Sequence, residues 1–303
     1  MNAIETTGLC KRYGNKNVVD QLNMLVPEGA IYGFIGRNGA GKSTTQKMLC
    51  GLTPVTSGEI RLYGKSYTDT DIRSKVGMLI ENAGVYSGLT AQENMRLYGL
   101  AIGVDNLEQE ITRALGMVGL SDTGKKKVKQ FSLGMKQRLG IAIALLGNPH
   151  LLILDEPING LDPQGIIEFR ETIQKLNHEY GMTIMISSHI LGELSKIATH
   201  YGIIKDGNMV QQMSADELEE ICRNYLYVKT ERQEAAKAGL IKQFHLEQCE
   251  ISEDGSLHLF GTQDSKAVNT WLYQNGFEVE EIYMHRQDLE EYFMSLTGGV
   301  DHD

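Results

Sequence analysis

An apolar run at residues 31–35 leads directly into a glycine-rich segment, and this junction constrains the fold more than any other feature of the sequence. The segment follows the pattern G-x-x-x-x-G-K-S, and its members are Gly36, Arg37, Asn38, Gly39, Ala40, Gly41, Lys42 and Ser43. Glycines let the backbone take positive φ angles and bring its N–H groups close to an anion. The pattern predicts a strand, a phosphate-binding loop and a helix, in that order.

The residues that close this loop supply the groups that a triphosphate needs. The ammonium of Lys42 is expected to reach the β- and γ-phosphates, and the hydroxyl of Ser43 is expected to ligate Mg²⁺. A helix that begins at Ser43 directs the positive end of its dipole at the same phosphates. The alternative is a glycine-rich turn that arose by chance, which the strand before the loop and the helix after it disfavour.

A second candidate site lies at residues 151–157, where an apolar run ends in two consecutive carboxylates, Asp155 and Glu156. Beside a phosphate loop, Asp155 is expected to hold Mg²⁺ directly or through water, while Glu156 polarises the water that attacks the γ-phosphorus. For this pair alone, an acidic strand end that marks a turn is the alternative. The phosphate loop earlier in the chain favours the catalytic interpretation.

A third segment, residues 131–138, places Ser132 where a helix is expected to begin, with Gly134 two residues later. The unpaired N–H groups of a helix start, a serine hydroxyl and a small residue together form an anion site that could contact a second phosphate group. Considered alone, Ser132 is better interpreted as a plain N-cap.

Composition and charge exclude several classes of protein. The chain has 303 residues and 41% hydrophobic content, which fits a globular protein of about two domains. A net charge of -10 argues against a nucleic-acid partner, whose phosphates would be repelled. The four cysteines lack the spacing of a metal site and suit reduced thiols in the cytosol. Without a signal peptide or an apolar stretch long enough to span a bilayer, the protein is expected to be soluble and cytoplasmic.

The spacing of apolar residues changes along the chain. Residues 1 to about 80 alternate short strand-like runs with glycine turns, whereas residues 90 to about 146 have helical periodicity. Unbroken apolar runs after residue 150 indicate a parallel sheet covered on both faces. From residue 216 the order strand, helix, strand, strand, helix, strand, helix predicts a separate α+β domain built on a split β-α-β unit.

Together, the motifs occur in the order and spacing of an ABC-type ATPase cassette, which residues 3–215 resemble. They are the phosphate loop, FSLGMKQ at 131–137, LLILDEP at 151–157, NGLD at 159–162 and SSH at 187–189. Within that family the chain resembles the ATP-binding subunits of bacitracin and lantibiotic self-protection exporters. The resemblance implies an α/β P-loop NTPase core at residues 1–215. Its antiparallel β subdomain and its helical subdomain, at about 82–146, would precede an accessory α+β domain at 216–303.

The resemblance implies a role for each motif residue, with ATP and Mg²⁺ as cofactors. The nucleotide ligands would be Tyr13, which would stack on adenine, and the loop residues from Gly36 to Thr44. A half-buried surface tyrosine is the alternative for Tyr13. Ser43 and Asp155 would serve Mg²⁺, and Glu156 would be the general base. His189 would reach the γ-phosphate and fix the attacking water.

The resemblance also implies a dimer, most simply a homodimer, in which two cassettes enclose two ATP molecules. The residues that would contact the ATP of the other copy are Ser132, Leu133, Gly134 and Met135. Those at the seam would be Asn159, Gly160, Leu161 and Asp162. A partner's helix start adds hydrogen-bond donors and excludes bulk water, so ATP would hold the dimer closed and hydrolysis would release it.

The function implied is ATP binding and hydrolysis by a subunit of an exporter. A separate transmembrane permease would hold the subunit at the inner face of the cell membrane, and antimicrobial peptides or drugs would be the cargo. The second interpretation is a soluble ABC ATPase that acts as a nucleotide-gated clamp on a macromolecule. In a protein that clamps nucleic acid or a ribosome, we would expect a coiled-coil insertion or two cassettes, together with basic faces. This sequence has none of these features.

Several residues depart from the family pattern. Glu81 stands where most members have a glutamine that contacts Mg²⁺, water and the transmembrane subunit, and lantibiotic-type exporters resemble this chain in having Glu. A carboxylate there would bind Mg²⁺ more strongly but would add negative charge beside the γ-phosphate. We hypothesise that Glu81 tunes coupling to the membrane partner and does not carry hydrolysis. Leu133, Met135 and Ile158 also replace the more usual Gly, Gln and Thr or Ser.

The end of the chain has its own resemblance. Residues 289–298 are similar to the C-terminal helix of drug-export and bacitracin-type ATPase subunits. Three roles are possible for this helix: it could dock on its own cassette, pair two subunits, or simply pack within its domain.

Overall fold

A computed structural model describes residues 1–81, 84–246, 248–252, 254–262, 264–285 and 289–297. The chain divides into two compact units. The first comprises residues 1–216 together with residues 296 and 297, and the second comprises the described residues between 217 and 295. Each unit has its own hydrophobic core.

The described residues form fourteen strands and eleven α-helices. The strands are β1 (Asn2–Tyr13), β2 (Lys16–Pro27), β3 (Ile31–Ile35), β4 (Ser57–Leu62), β5 (Lys65–Ser66), β6 (Val76–Leu79), β7 (Leu151–Asp155), β8 (Thr183–Ser188), β9 (His200–Lys205), β10 (Asn208–Ser214), β11 (Tyr225–Thr230), β12 (Gln248–Ile251), β13 (Leu257–Phe260) and β14 (Val279–His285). The helices are α1 (Lys42–Leu49), α2 (Thr70–Arg73), α3 (Ala91–Ile102), α4 (Leu107–Met117), α5 (Leu133–Ala144), α6 (Pro163–His178), α7 (Leu191–Leu194), α8 (Ala215–Ile221), α9 (Gln233–Phe244), α10 (Ser265–Gln274) and α11 (Leu289–Thr297).

The first unit is built around a six-stranded sheet in the order β10-β9-β3-β8-β7-β6. All neighbouring strands are parallel except β9 and β10. Every residue of β3, β7 and β8 is buried, which is typical of parallel strands covered on both faces. Because parallel strands end at the same edge of a sheet, the segments that follow Ile35, Asp155 and Ser188 meet there.

An antiparallel sheet in the order β2-β1-β4-β5 shares a core with the parallel sheet. Leu22 and Leu62 from the antiparallel sheet and Phe34 and Met185 from the parallel sheet belong to one buried cluster. This sheet confirms the predicted antiparallel subdomain. Tyr13 is the last residue of β1, because the ladder with β2 continues to the turn.

The region predicted as helical contains α3, α4 and α5, which contact one another. Helix α3 begins with a capping box, in which the Thr90 hydroxyl accepts from the Glu93 N–H (3.2 Å) and the Glu93 carboxylate accepts from the Thr90 N–H (2.7 Å). The segment from 119 to 130 includes two short 3-10 turns. Residues 82 and 83, at the predicted start of this region, lie outside the described residues.

The second unit contains an antiparallel sheet in the order β12-β13-β11-β14. One face of the sheet packs on helices α9 and α10, and the buried residues of this core include Leu226, Val228, Leu240, Leu259, Val268 and Leu272. The element order and the sheet confirm the predicted α+β class. Residue 298, the last of the predicted C-terminal helix, lies outside the described part of the chain, as do residues 286–288 and 299–303.

None of the helices in the described ranges combines the length and apolar character needed to cross a bilayer. All four cysteines have free thiols.

Candidate nucleotide-binding site

The glycine-rich segment forms a tight loop between β3 and α1, and two of its glycines are required by close backbone approach. Gly41 has a φ of 109°, and a Cβ atom there would lie 2.8 Å from the carbonyl oxygen of Val18. A Cβ atom on Gly36 would lie 2.6 Å from the carbonyl oxygen of Ile204. Any larger residue would displace the loop from β2 and β9. The local fold therefore depends on the glycines that the sequence pattern singled out.

The ammonium of Lys42 lies inside this loop. Its side chain is 5% exposed, and its Nζ donates to the carbonyl oxygens of Gly36 (2.6 Å) and Arg37 (3.2 Å). The same Nζ forms an ion pair with Oε1 of Glu156 at 3.1 Å. A buried ammonium needs such partners, and a phosphate oxygen could replace any of them.

A cavity of about 200 Å³ opens beside Lys42. The residues that line it are Val18, Asn38, Gly39, Gly41, Lys42, Ser43, Thr44, Glu156 and Asn159. It lies at the start of α1, where unpaired N–H groups and the helix dipole favour an anion. Among the described residues, the cavity thus combines the phosphate-loop residues with the predicted base.

One residue of β8, Ser187, holds the carboxylate of Asp155 and the backbone of Glu156 at the end of β7. The Ser187 hydroxyl donates to Oδ1 of Asp155 (2.7 Å) and accepts from the backbone N–H of Glu156 (2.9 Å). Asp155 is 5% exposed, whereas the Glu156 side chain is 18% exposed and faces Lys42. Glu156 also has a φ of 47°, a left-handed conformation that a non-glycine residue adopts at some energetic cost. This strained junction turns two consecutive carboxylates in different directions.

The sequence alone did not indicate a role for Ser187, although it is the first residue of the SSH motif at 187–189. The signal that could have identified it is a hydroxyl residue at the end of the strand that pairs with β7. In the register of these two parallel strands, Asp155 lies beside Ser187. Gln46 supports the same strand end, because its Nε2 donates to the carbonyl oxygen of Leu154 (3.1 Å).

His189 follows β8 and contacts the predicted base. Its Nδ1 lies 2.9 Å from Oε2 of Glu156, while Oε1 of the same carboxylate faces Lys42. Lys42, Glu156 and His189 therefore form one connected chain of polar contacts. The structure brings these three predicted residues together, with Asp155 joined to Glu156 through Ser187.

Tyr13 lies apart from this chain of contacts. Its side chain is 50% exposed, and the ammonium of Lys11 lies 4.9 Å from its ring centroid. Tyr13 is not among the residues that line the cavity, although its ring remains accessible for stacking.

The segment from Ser132 to Met135 is exposed or half-buried and does not line the cavity of its own chain, within the described residues. Ser132 is the N-cap of α5, since its hydroxyl accepts from the Met135 N–H at 3.2 Å. This segment adjoins the segment from Asn159 to Asp162, because a Cβ atom on Gly160 would lie 3.2 Å from Leu133. Asp162 in turn caps α6.

Glu81 forms an ion pair on the surface. Its Oε1 lies 2.5 Å from Nζ of Lys47 on α1, and its side chain is 65% exposed. The hydrogen bond to Glu81 raises the pKa of Lys47. No cluster of three or more His, Cys, Asp or Glu side chains within the described ranges could hold a metal ion by itself. A Mg²⁺ site here would need phosphate oxygens in addition to Ser43 and Asp155.

Comparison with known proteins identifies the family. The family profile described as ABC transporter matches residues 19–159. The bacitracin transport ATP-binding protein BcrA of Bacillus licheniformis is 43% identical over 299 residues, which cover 98% of this chain and 97% of that protein. This chain belongs to the ABC transporter family. The predicted family and its ATPase activity are thereby confirmed for this ABC protein.

Two further similarities agree with the assignment of this chain to the ABC transporter family. The lantibiotic transport ATP-binding protein SrtF of Streptococcus pyogenes is 46% identical over 232 residues, which cover 76% of this chain and 100% of that protein. A dimeric ATP-binding cassette in a post-hydrolysis state, bound to ADP and phosphate, has a TM-score of 0.62 at 24% identity, and the match covers 70% of this chain and 98% of that one. The P-loop fold predicted from the sequence is confirmed.

Proposed function

We propose that this ABC protein is the ATP-hydrolysing subunit of an exporter and that residues 1–215 form its cassette. The observation that carries the proposal is the convergence of Lys42, Glu156 and His189 beside the phosphate-loop cavity. In this arrangement the cassette binds ATP, and residues 216–303 form an accessory domain.

The positions of the loop residues, Glu156 and His189 support the following roles for the site residues. Gly36 to Thr44 hold the phosphates through backbone N–H groups, with the Lys42 ammonium on the β- and γ-phosphates. Glu156 accepts a proton from the attacking water, and His189, 2.9 Å from Glu156, orients that carboxylate and contacts the γ-phosphate. Tyr13 stacks on adenine.

The donors present fit a magnesium ion bound together with the triphosphate. The Ser43 hydroxyl and the Asp155 carboxylate would hold it, and Ser187 fixes Asp155 through a 2.7 Å hydrogen bond. The ion would neutralise negative charge on the phosphate oxygens. Glu81 is the weaker candidate ligand, because its carboxylate is engaged by Lys47.

Two copies of the chain would complete each site. A Cβ atom on Gly134 would meet only ordinary contacts, the nearest 3.6 Å away, so the fold of a single chain does not demand glycine there. The exposed start of α5, with Ser132, Leu133, Gly134 and Met135, suits a phosphate brought by a partner. Asn159 to Asp162 would lie at the seam. ATP would then join the two copies, and hydrolysis would separate them.

The relatives indicate the kind of transport. BcrA and SrtF are described as bacitracin and lantibiotic transport ATP-binding proteins. We extend this class of cargo, peptide antibiotics, to the present chain, which would act through a separate transmembrane permease at the inner face of the membrane. The interpretation as a soluble clamp on a macromolecule finds no support among these relatives.

A transport assay tests this function. The chain would be reconstituted in vesicles together with the membrane proteins that co-purify with it, and ATP-dependent movement of bacitracin or a lantibiotic would be measured. We expect transport with the wild-type chain and none with Glu156→Gln. ATP hydrolysis that neither membrane subunits nor peptide antibiotics alter would contradict the exporter assignment.

The Glu81–Lys47 pair yields a separate prediction about coupling. Glu81→Ala is expected to leave hydrolysis by the isolated chain within about threefold of wild type, because an exposed ion pair contributes little energy. The same change should reduce the stimulation of hydrolysis by the permease. Glu59→Ala, which removes an exposed carboxylate from β4, is the control. If Glu81→Ala abolished hydrolysis as thoroughly as Glu156→Gln, the coupling role would be wrong.

A further inference from the structure

Negative charge is concentrated in the second unit. Residues 217–295 contain 16 acidic side chains against 7 lysines and arginines, and this excess accounts for nearly all of the net charge of -10 of the whole chain. The cassette is close to neutral by comparison. A unit with this charge repels phosphate-rich polymers and anionic lipid surfaces and attracts cations.

The face of the second sheet that does not pack on α9 and α10 carries aromatic rings on three neighbouring strands. We call this surface the ring face, and its members are Tyr225 and Tyr227 of β11, His258 and Phe260 of β13, and Tyr283 and His285 of β14. These residues alternate with core residues such as Leu226, Leu259 and Met284. Five of the six rings are half-buried or exposed, and Tyr283 is 47% exposed.

The rings are already stacked on one another across the strands. Tyr225 lies 4.0 Å from the centroid of His258 and 4.6 Å from that of His285, with nearly parallel planes in both pairs. Tyr227 and Tyr283 stack in the same way at 4.6 Å. Stacking covers the ring faces that lie between neighbouring strands, whereas Tyr283, on the edge strand β14, is 47% exposed and offers its other π-face to a ligand with little loss of side-chain entropy.

Carboxylates border the ring face. Asp254 accepts from the Tyr227 hydroxyl (3.1 Å) and from Ser256, whose hydrogen bonds lower the pKa of Asp254 to about 2. Glu250 lies opposite His258 in the register of β12 and β13. Glu281 lies two residues before Tyr283 and on the same face of β14. Burial lowers the pKa of His258, which favours its neutral form at neutral pH. The Lys229 ammonium on this face lies 3.6 Å from the carboxylate of Glu280.

The chain itself places one guanidinium on the ring face. The guanidinium carbon of Arg223 lies 4.8 Å from the centroid of Phe260, and its Nη1 donates to Oε1 of Gln248 (3.1 Å). Arginine is planar and weakly hydrated, so it stacks on aromatic rings and pairs with carboxylates at the same time. Tyr283, the most exposed ring of this face, offers the same combination to a second guanidinium, with Glu281 two residues away.

We propose that the ring face binds an arginine-bearing segment on the cytoplasmic side of the transmembrane subunit. This inference rests on the proposed exporter function, which supplies the membrane partner. Cytoplasmic loops of membrane proteins carry an excess of lysine and arginine, and these charges complement the acidic second unit. The arginine stacks on the open face of Tyr283, whose other face packs on Tyr227, and the carboxylate of Glu281 pairs with its charge.

Single-stranded RNA is the other ligand that stacked rings on a sheet can bind. The charge of the unit argues against it, since the carboxylates around the rings would repel every phosphate of the strand. The ring face therefore favours a cation that carries no phosphate.

Calorimetric titration of the full-length chain with a model peptide tests this proposal. The probe is a short glycine-serine peptide with arginines at alternate positions, and the matched probe has citrulline, a neutral analogue of the same shape. We expect the arginine peptide to bind about tenfold more tightly than the citrulline peptide, as cation–π and ion-pair contacts imply. Tyr283→Leu and Tyr227→Leu should each weaken binding by about three- to tenfold.

Tyr273→Leu is the matched control, because Tyr273 is 83% exposed on α10, away from the ring face. It should bind the arginine peptide as wild type does, and thermal melting would verify that all variants are folded. Equal binding of both peptides, full binding by Tyr283→Leu, or tyrosine-dependent binding of a uridine oligonucleotide would overturn the proposal. Glu156→Gln should bind the peptide normally, so a failure of the ATPase assignment and a failure of the ring face remain distinguishable.

Discussion

Glu156→Gln is expected to reduce ATP hydrolysis by about 10²- to 10⁴-fold, the range that a general base contributes. Glutamine has the same shape but cannot accept the proton of the attacking water. The change also removes the negative partner of the Lys42 ammonium, now 3.1 Å away, so ATP binding should be retained or become tighter. Phosphate release and nucleotide binding would be measured on the same purified chain.

Glu171→Gln, on the exposed side of α6, is the control for the loss of one carboxylate. It should leave both hydrolysis and binding unchanged. If Glu156→Gln kept more than a tenth of the wild-type rate, a different residue would have to activate the water. His189, 2.9 Å from Glu156, would then be the first residue to test.

Lys42→Ala is expected to weaken ATP binding by at least ~100-fold. A hydrogen bond to a charged group is worth about 1.5–3 kcal/mol, and the ammonium would serve two phosphate groups. Binding of a fluorescent ATP analogue would measure the loss. Hydrolysis at subsaturating ATP should fall in the same proportion.

Lys47→Ala, five residues further along α1, is the matched control for Lys42→Ala. It removes a lysine of the same helix whose side chain is 31% exposed and pairs with Glu81 instead of the phosphate loop. ATP binding should change less than about threefold, because exposed pairs contribute little. Similar losses in both variants would mean that ATP binding depends on the total positive charge of α1 and not on the position of the Lys42 ammonium.

The sequence predicted the parts of the site that backbone geometry dictates. A loop that must approach β2 and β9 closely requires glycine at Gly36 and Gly41, and unbroken apolar runs follow from strands buried on both faces. Both requirements leave a pattern in a short stretch of the sequence. The pattern can therefore be recognised without knowing which distant segments the loop or the strand contacts.

Contacts between distant residues were the parts that the sequence could not supply. Ser187 holds Asp155 and Glu156 only because β7 and β8 pair in one particular register. The pairing of Glu81 with Lys47 depends likewise on where the segment after β6 meets α1. The ring face arises from three strands that are far apart in the sequence, and its alternation with core residues gives no sign of the stacking between strands.

The proposed function requires two copies of the chain to share each ATP, with Lys42, Asp155 and Glu156 from one copy and Ser132 from the other. Sedimentation of the Glu156→Gln chain with and without ATP and Mg²⁺ tests this sharing. We expect a monomer without ATP and a dimer with it. The chain that also carries Ser132→Arg should still bind ATP but remain a monomer. A dimer that persists with Ser132→Arg, or a Glu156→Gln chain that stays monomeric when saturated with ATP, would mean that ATP is not shared in this way.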